Sequence, residues 1–500
     1  MRTALVLPLL AAALTGSASL GLAALIVPPN GAGCFDPVDF GAQPLPGFDS
    51  RPGAQAAIDA AVAAGGGRVC FGAGRWHLTR APIGSYNRFA ALSTHGAHIE
   101  ITGAGPGTVL EISGDQGASD LWVIALDPGA HDITIRDLTI DTSAATNTDE
   151  QTHAIEVGSG LGTGFVEDVR IERVRFVHPA ATDGSRKGDC LRMVGATPES
   201  SVRRVTVIGS TFTSCARSGI AIQRNVFDLV IEGNQFTEAG DQDIDSEPTG
   251  SGLNGSVAVI GNVFHDDTTV AQGTFAVTIG GISEPMARVT VANNVFEGRG
   301  INFYRTADTT VTGNTFVTNM TEGRGVINIE NVTERMVVQG NVVRRSGVTG
   351  APIRVIHHSG HGASHLVIAN NVLTNDTPGG GVDMESAQDV TVSGNEITWT
   401  VPAPQAAGVR LRSVIVPADG VMISGNRIAG PSLMAGVFLG ASPQPFKAVS
   451  IVGNMARGAA RALRCDQSVA GNYTQPIVHA ANYWQAPVQC AAATLVSSLP

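Results

Sequence analysis

Lysine is nearly missing from this 500-residue chain, with Lys187 and Lys447 the only two. Positive charge is therefore almost entirely arginine, which limits the side chains able to act as a lysine base. Charged residues amount to just 15%, and their balance is acidic, with a formal net charge of −11. That argues against nucleic acid as a partner, since such a surface normally shows a basic stripe. No Pro- or Ser-rich linker interrupts the chain, and no appended binding domain stands out. A single domain over residues 34–500 is expected, although the length alone would allow about three. Disorder is excluded as well, because the 43% of apolar residues recur at strand spacing.

Glycine, by contrast, is plentiful at 61 residues, and much of it belongs to one repeated phrase. A few alternating β-formers are followed by Gly-Asn or Asn-Asn and then an apolar residue, as in VIEGNQF (Val230 to Phe236) and VTVANNVF (Val289 to Phe296). The turn asparagines are Asn234, Asn262, Asn294, Asn314, Asn341, Asn371, Asn395, Asn426 and Asn454, at intervals between 20 and 32 residues. Such a period, rich in β-formers and variable in length, marks a solenoid. Asn and Gly tolerate the left-handed backbone conformation and can bend a strand sharply. One bend per coil stacks the asparagines, so their amides can hydrogen-bond along the axis. The expected fold is all-β, a right-handed parallel β-helix of roughly 11–13 coils. A propeller is disfavoured by the lack of a four-strand blade period.

Residues 1–24 read as a secretory signal peptide, apolar after Arg2 with small residues at Gly16, Ser17 and Ala18. The apolar run is long enough to serve instead as an uncleaved anchor. Beyond that export signal no membrane role is expected, and a secreted or periplasmic location follows. Six cysteines in an exported chain suggest disulfides. Of the fifteen connectivities six cysteines allow, proximity favours Cys34–Cys70, Cys190–Cys215 and Cys465–Cys490, which would staple neighbouring coils.

An N-terminal cap is expected at about 34–78, around a helix from Ala54 to Ala64 whose Ala57, Ile58, Ala61 and Val62 cover the open end. A C-terminal cap is expected at about 473–500, where the repeat fades. The opening order, VDFGA (Val38 to Ala42), a helix containing AQAAIDAA, then GGGRVCFGAGRW (Gly65 to Trp76), resembles that of the pectate lyase-like superfamily. Gly72 and Trp76 stand where that group usually has Pro and Tyr. The resemblance implies the β-helix and, more loosely, carbohydrate chemistry; it does not select a reaction. The polygalacturonase residue set is not carried over. Gly-His-Gly occurs at Gly360 to Gly362, but its partner motifs are missing.

A second strand lies between successive Asn turns, and its copies align as a column of outward residues. They are Glu156, Arg192, Ala221, Asp245, Asn302, Asn328, Arg354, Asp383 and Arg410, a polar floor suited to a saccharide. The strand around Phe275 to Gly281 gives no clear register. In GDQDIDSEP, Asp243, Asp245 and Glu247 alternate along a strand, which would place three carboxylates on one face about 7 Å apart. Like charges so placed raise one another's pKa or require a cation. Asp245 would then be the general acid or base of a glycoside hydrolase, with Asp243 or Glu247 activating water. Alternatively the trio would hold Ca²⁺ in a lyase. Arg192, Arg224 and Lys187 are candidate substrate ligands or bases, and Tyr304 and Arg305 further substrate ligands. His357, His358, His361 and His365 read as a polar loop rather than a metal site, and Asp383 with Glu385 as a surface ladder flanked by arginines. The expected function is an exported, monomeric carbohydrate-active enzyme cleaving a polysaccharide that contains uronate. A non-catalytic glycan-binding or structural β-helix is the alternative, and an epimerase a third.

Overall fold

The computed structural model describes residues 33–83, 88–114, 120–146, 151–160, 162–177, 188–247, 253–266, 275–320, 323–347, 350–357, 363–440, 443–466, 477–490 and 495–496. The leader, Lys187, His358 and Gly360 to Gly362 lie outside these residues. The chain coils about 13 times into a parallel β-solenoid. Three strands recur per coil, each pairing in parallel with its counterpart one coil on; Val226–Glu232, Gln235–Thr237 and Ile244–Ser246, for example, meet Asn254–Ile260, Val263–His265 and Phe275–Gly280. We call these the first, second and third columns. Among the described strands, Ala81–Ile83 departs from the pattern and pairs antiparallel with Arg88–Thr94.

The corner between the first two columns carries the ladder expected from the sequence, with one refinement. It is the residue before each ladder asparagine that takes the left-handed conformation: Gly233 (φ 63°), Gly261 (φ 64°) and Asn293 (φ 56°). Freed from that duty, the ladder asparagine turns inward and is buried. Asn262 Oδ1 accepts the backbone N–H of Asn234 at 2.9 Å and its Nδ2–H at 3.0 Å, while Asn234 Nδ2 also donates to the Val207 carbonyl. The same three bonds recur coil after coil, so a bend that would strand buried N–H groups instead satisfies them. Beside the ladder, Phe176, Phe212, Phe236, Phe264, Phe296 and Phe316 stack with centroids 4.5–4.9 Å apart.

Helix Arg51–Ala63 closes the N-terminal end. Ala54, Ala57, Ile58 and Ala61 are fully buried, whereas Val62 is only partly so. At the other end the expected cap still contains a coil. Ile477–Ala480, Tyr483–Trp484 and Val488–Gln489 continue the columns, and Asn482 extends the ladder by accepting from Asn454 at 2.8 Å. Its sequence, AANYW, puts Ala481 (φ 52°) where glycine usually announces the turn. The three disulfides join Cys34–Cys70, Cys190–Cys215 and Cys465–Cys490, as proximity favoured. They fit an oxidising, extracellular setting. No helix among the described residues is long and apolar enough to cross a membrane.

A second left-handed position recurs where each coil enters the first column. His98, Asp132, Asp168, Arg204, Asp228, Ser256, Arg288, Asp308, Arg335, His365 and Asp389 all have φ between 50° and 60°. Their side chains pair along the surface, Arg204 with Asp168 at 2.7 Å and Arg335 with Asp308 at 2.6 Å.

Candidate functional site

Strand register places the outward residues of the third column in one line: Glu156, Arg192, Ala221, Asp245, Thr278, Asn302, Asn328, Arg354, Asp383 and Arg410. Thr278 fills the coil the sequence left open, because the strand slips between Phe275 and Val277. Inward neighbours such as Leu191, Ile220 and Ile244 are wholly buried, so the strand alternation that builds the core also fixes which side chains line the face.

Around the upper coils the line is flanked by a polar network withdrawn from water. Glu156 is fully buried; Arg192 donates to its two carboxylate oxygens at 3.0 and 3.1 Å and to Gln223 at 2.7 Å, and Arg88 approaches it at 3.5 Å. Burial pushes the Glu156 carboxyl up to about 7 against the opposing pull of Arg192 and Arg88. Three residues before Glu156, His153 Nδ1 accepts the backbone N–H of Asp189 at 3.0 Å. Asp189 in turn is held by Arg217 at 2.8 and 2.6 Å. Asp245 is just 5% exposed, and burial, reinforced by Glu247, Asp189 and Asp241, raises its carboxyl to about 8 despite Arg217. At neutral pH Asp245 is therefore a proton-bearing acid, amid a pair already neutralised by its own arginine. A cavity of about 630 Å³ adjoins the opposite end of this cluster, where Arg88 meets His95 and Asp127.

The expected carboxylate trio does not stay together. Asp243 is fully buried at the corner before the strand, where Arg299 reaches it at 3.5 Å and Asp266 at 2.8 Å. Its carboxyl is raised far above the ordinary range, first by burial and then by Asp266. The strand starts only at Ile244, so alternation does not extend back to Asp243, and the cation absent from the column arrives from a different corner. Asp245 remains on the face, and Glu247, one residue past the strand's end at Ser246, is exposed. A Ca²⁺ shared by all three does not fit this arrangement. Arg224 is also committed elsewhere, to the carbonyls of Gly195 at 3.3 Å and Gly160 at 3.2 Å. Arg192 is in the column, though bound to Glu156 and Gln223 rather than free. Tyr304 follows the column two coils beyond Asp245. Arg305 is left-handed at φ 50° and turns to the Ile282 carbonyl. Sequence reasoning passed over His153, Asp189 and Arg217. The available signal was that His153 and Asp189 share a register position in successive coils. Away from this face, donor atoms of His98, His131 and Asp132 lie within 4.8 Å of one another on the surface.

No protein-family model matches the chain. The tailspike gp61 of Pseudomonas phage phi297 superposes with a TM-score of 0.54 at 11% identity, over 89% of this chain and 84% of that one. The chain is a right-handed parallel β-helix protein. Its pectate lyase-like opening is thereby borne out at the level of fold. The A-module of mannuronan C-5 epimerase AlgE6 from Azotobacter vinelandii gives a TM-score of 0.43 at 18% identity, covering 90% of this β-helix and 99% of the module. In sequence, 111 residues are 35% identical to mannuronan C5-epimerase AlgE3 of the same organism. That stretch is 22% of this chain and only 6% of the relative's length.

Proposed function

We propose that this β-helix is an exported carbohydrate-active enzyme that hydrolyses a uronate-containing polysaccharide lying along its third column, with Asp245 as proton donor. The observation that carries the reading is the state of Asp245: an outward carboxyl nearly closed to water and raised to about 8. Glycoside hydrolysis needs one carboxyl that keeps its proton and a second that does not. Glu247, exposed to solvent two residues on and just past the strand's end, is the nearest carboxyl to serve beside it. The test is Asp245→Asn assayed on a polyuronate panel for reducing ends. Turnover should fall at least 100-fold, in line with loss of a general acid, while polymer binding and the folded structure persist. Wild-type kcat/KM should decline above about pH 8. Full activity in the variant would remove the proposal.

A second reading has its own support in the stretch 35% identical to a mannuronan C5-epimerase. Proton NMR of the same reactions separates the two. Hydrolysis releases new reducing ends, whereas epimerisation changes sugar configuration in polymer of unchanged length.

A further inference from the structure

Farther along the same face, a pocket of about 340 Å³ is bordered by Arg354, Asp383, Gln405, Arg410 and Arg412. Arg354, Asp383 and Arg410 continue the line that contains Asp245. The charge in it is unbalanced. Arg410 approaches Asp383 at 3.5 Å, and Arg412 is taken up by Glu385. Arg354 meets only the Gly323 carbonyl, at 3.5 Å, among its described contacts. Nε of Arg410, Nε of Arg412 and Oδ1 of Asp383 are buried without a hydrogen-bond partner, a state that carries a desolvation cost until something polar arrives. Behind the pocket wall lies a fourth guanidinium. Arg345 is wholly buried, donates to the Arg324 carbonyl at 2.7 Å, and sits where any side chain on Gly350 would collide with it. Burial, and then Arg354, lowers it to about 10, which leaves it a cation at neutral pH. Among the described residues, three guanidiniums border the pocket with one carboxylate, Asp383, while Arg345 lies behind them and Glu385 meets Arg412, in a chain whose overall charge is −11.

We infer that this pocket is a subsite for an anionic sugar substituent, a carboxylate or a sulfate ester, on a polysaccharide that extends to it from Asp245. Planar guanidiniums suit either oxyanion through paired N–H donors. Arg354 stands four coils beyond Asp245, about 19 Å at the strand spacing of about 4.8 Å. An oligosaccharide spans that gap and a single sugar does not. The inference rests on the proposed polysaccharide reading for its substrate, yet it is tested by binding, apart from turnover.

The experiment uses the Asp245→Asn protein, so that polymer is not consumed, and measures affinity for polyuronate, sulfated galactan and neutral glucan at low and high salt. Tighter binding of one anionic polymer than of neutral glucan, weakened by salt, is expected, and the preferred polymer identifies the substituent. Arg354→Gln, which breaks no ion pair, should weaken that binding about tenfold and leave neutral glucan untouched. Arg354→Lys should recover part of it. Anionic polymer binding that Arg354→Gln and Arg410→Gln leave intact would overturn the inference, as would equal affinity for neutral and anionic polymers. If the pocket variants lose binding but the wild type turns nothing over, the subsite stands and the hydrolase reading falls.

Discussion

A carboxyl can be hidden in this protein in two ways, and Asp243 and Asp245 exemplify them. Asp243 is buried together with Asp266 against Arg299, itself only 2% exposed, and burial followed by Asp266 raises its carboxyl far above the ordinary range. Replacing Arg299 with Met leaves Asp243 and Asp266 buried without their cation and should cost about 3–5 kcal/mol by urea denaturation. Asp245 has no arginine so close, and burial with the carboxylates around it keeps its proton on. Its folded pKa, about 8, is above that of an exposed aspartate. The folded state therefore binds more protons than the unfolded one between roughly pH 4 and 8. Stability from this group is complete below that window and lost as pH rises through it. Glu156, at about 7, acts in the same sense. Melting temperature should accordingly drop between pH 5 and pH 8, and Asp245→Asn should flatten the slope and melt higher than wild type at pH 8.

At the scale of the element, the asparagine ladder ties coils of unequal length into one register. Asn294 receives two bonds from Asn262 and gives two to Asn314 although the flanking intervals are 32 and 20 residues. Asn294→Ala removes an acceptor from two buried N–H groups, so a loss of about 1–3 kcal/mol for each group left unsatisfied is expected. Asn482→Ala, at the end of the stack, should cost less because the bonds it accepts from Asn454 are only partly buried. Denaturation midpoints of the two variants give the comparison. The ladder was legible in the sequence because its chemistry is local: glycine before asparagine signals the bend wherever it occurs. The outward column was legible for a similar reason, since strand alternation fixes facing, and it located Asp245. Asn482 escaped because alanine replaces the glycine before it. Asp243 was misplaced because alternation stops at a corner, and what surrounds a corner is set by residues 23 and 56 positions away, Asp266 and Arg299. The left-handed entry to each coil left no trace at all, being filled by His, Asp, Arg and Ser alike.

For the molecule as a whole, stability is a sum over neighbours, so the ends are where it opens. Cys34–Cys70 and Cys465–Cys490 clamp those ends, while Cys190–Cys215 lies inside. Under mild reduction, hydrogen exchange should quicken first at Cys34–Phe71 and at 477–490, with the Asn234 to Asn371 coils protected longest. Early exchange in the central coils would contradict this order.

The direction of the ladder has a further consequence. Every asparagine donates toward the C-terminal neighbour and accepts from the N-terminal one, so the two ends of the stack are complementary rather than alike. The parallel strands share this polarity from the first coil to the last, so with both covers stripped one molecule's last coil would offer the strand edge that another's first coil leaves unpaired. Such head-to-tail contacts do not close on themselves, and they polymerise. Helix Arg51–Ala63 is then a chain terminator as much as a lid. Removing it together with the residues that follow the last coil should yield filaments visible by electron microscopy, lengthening with concentration.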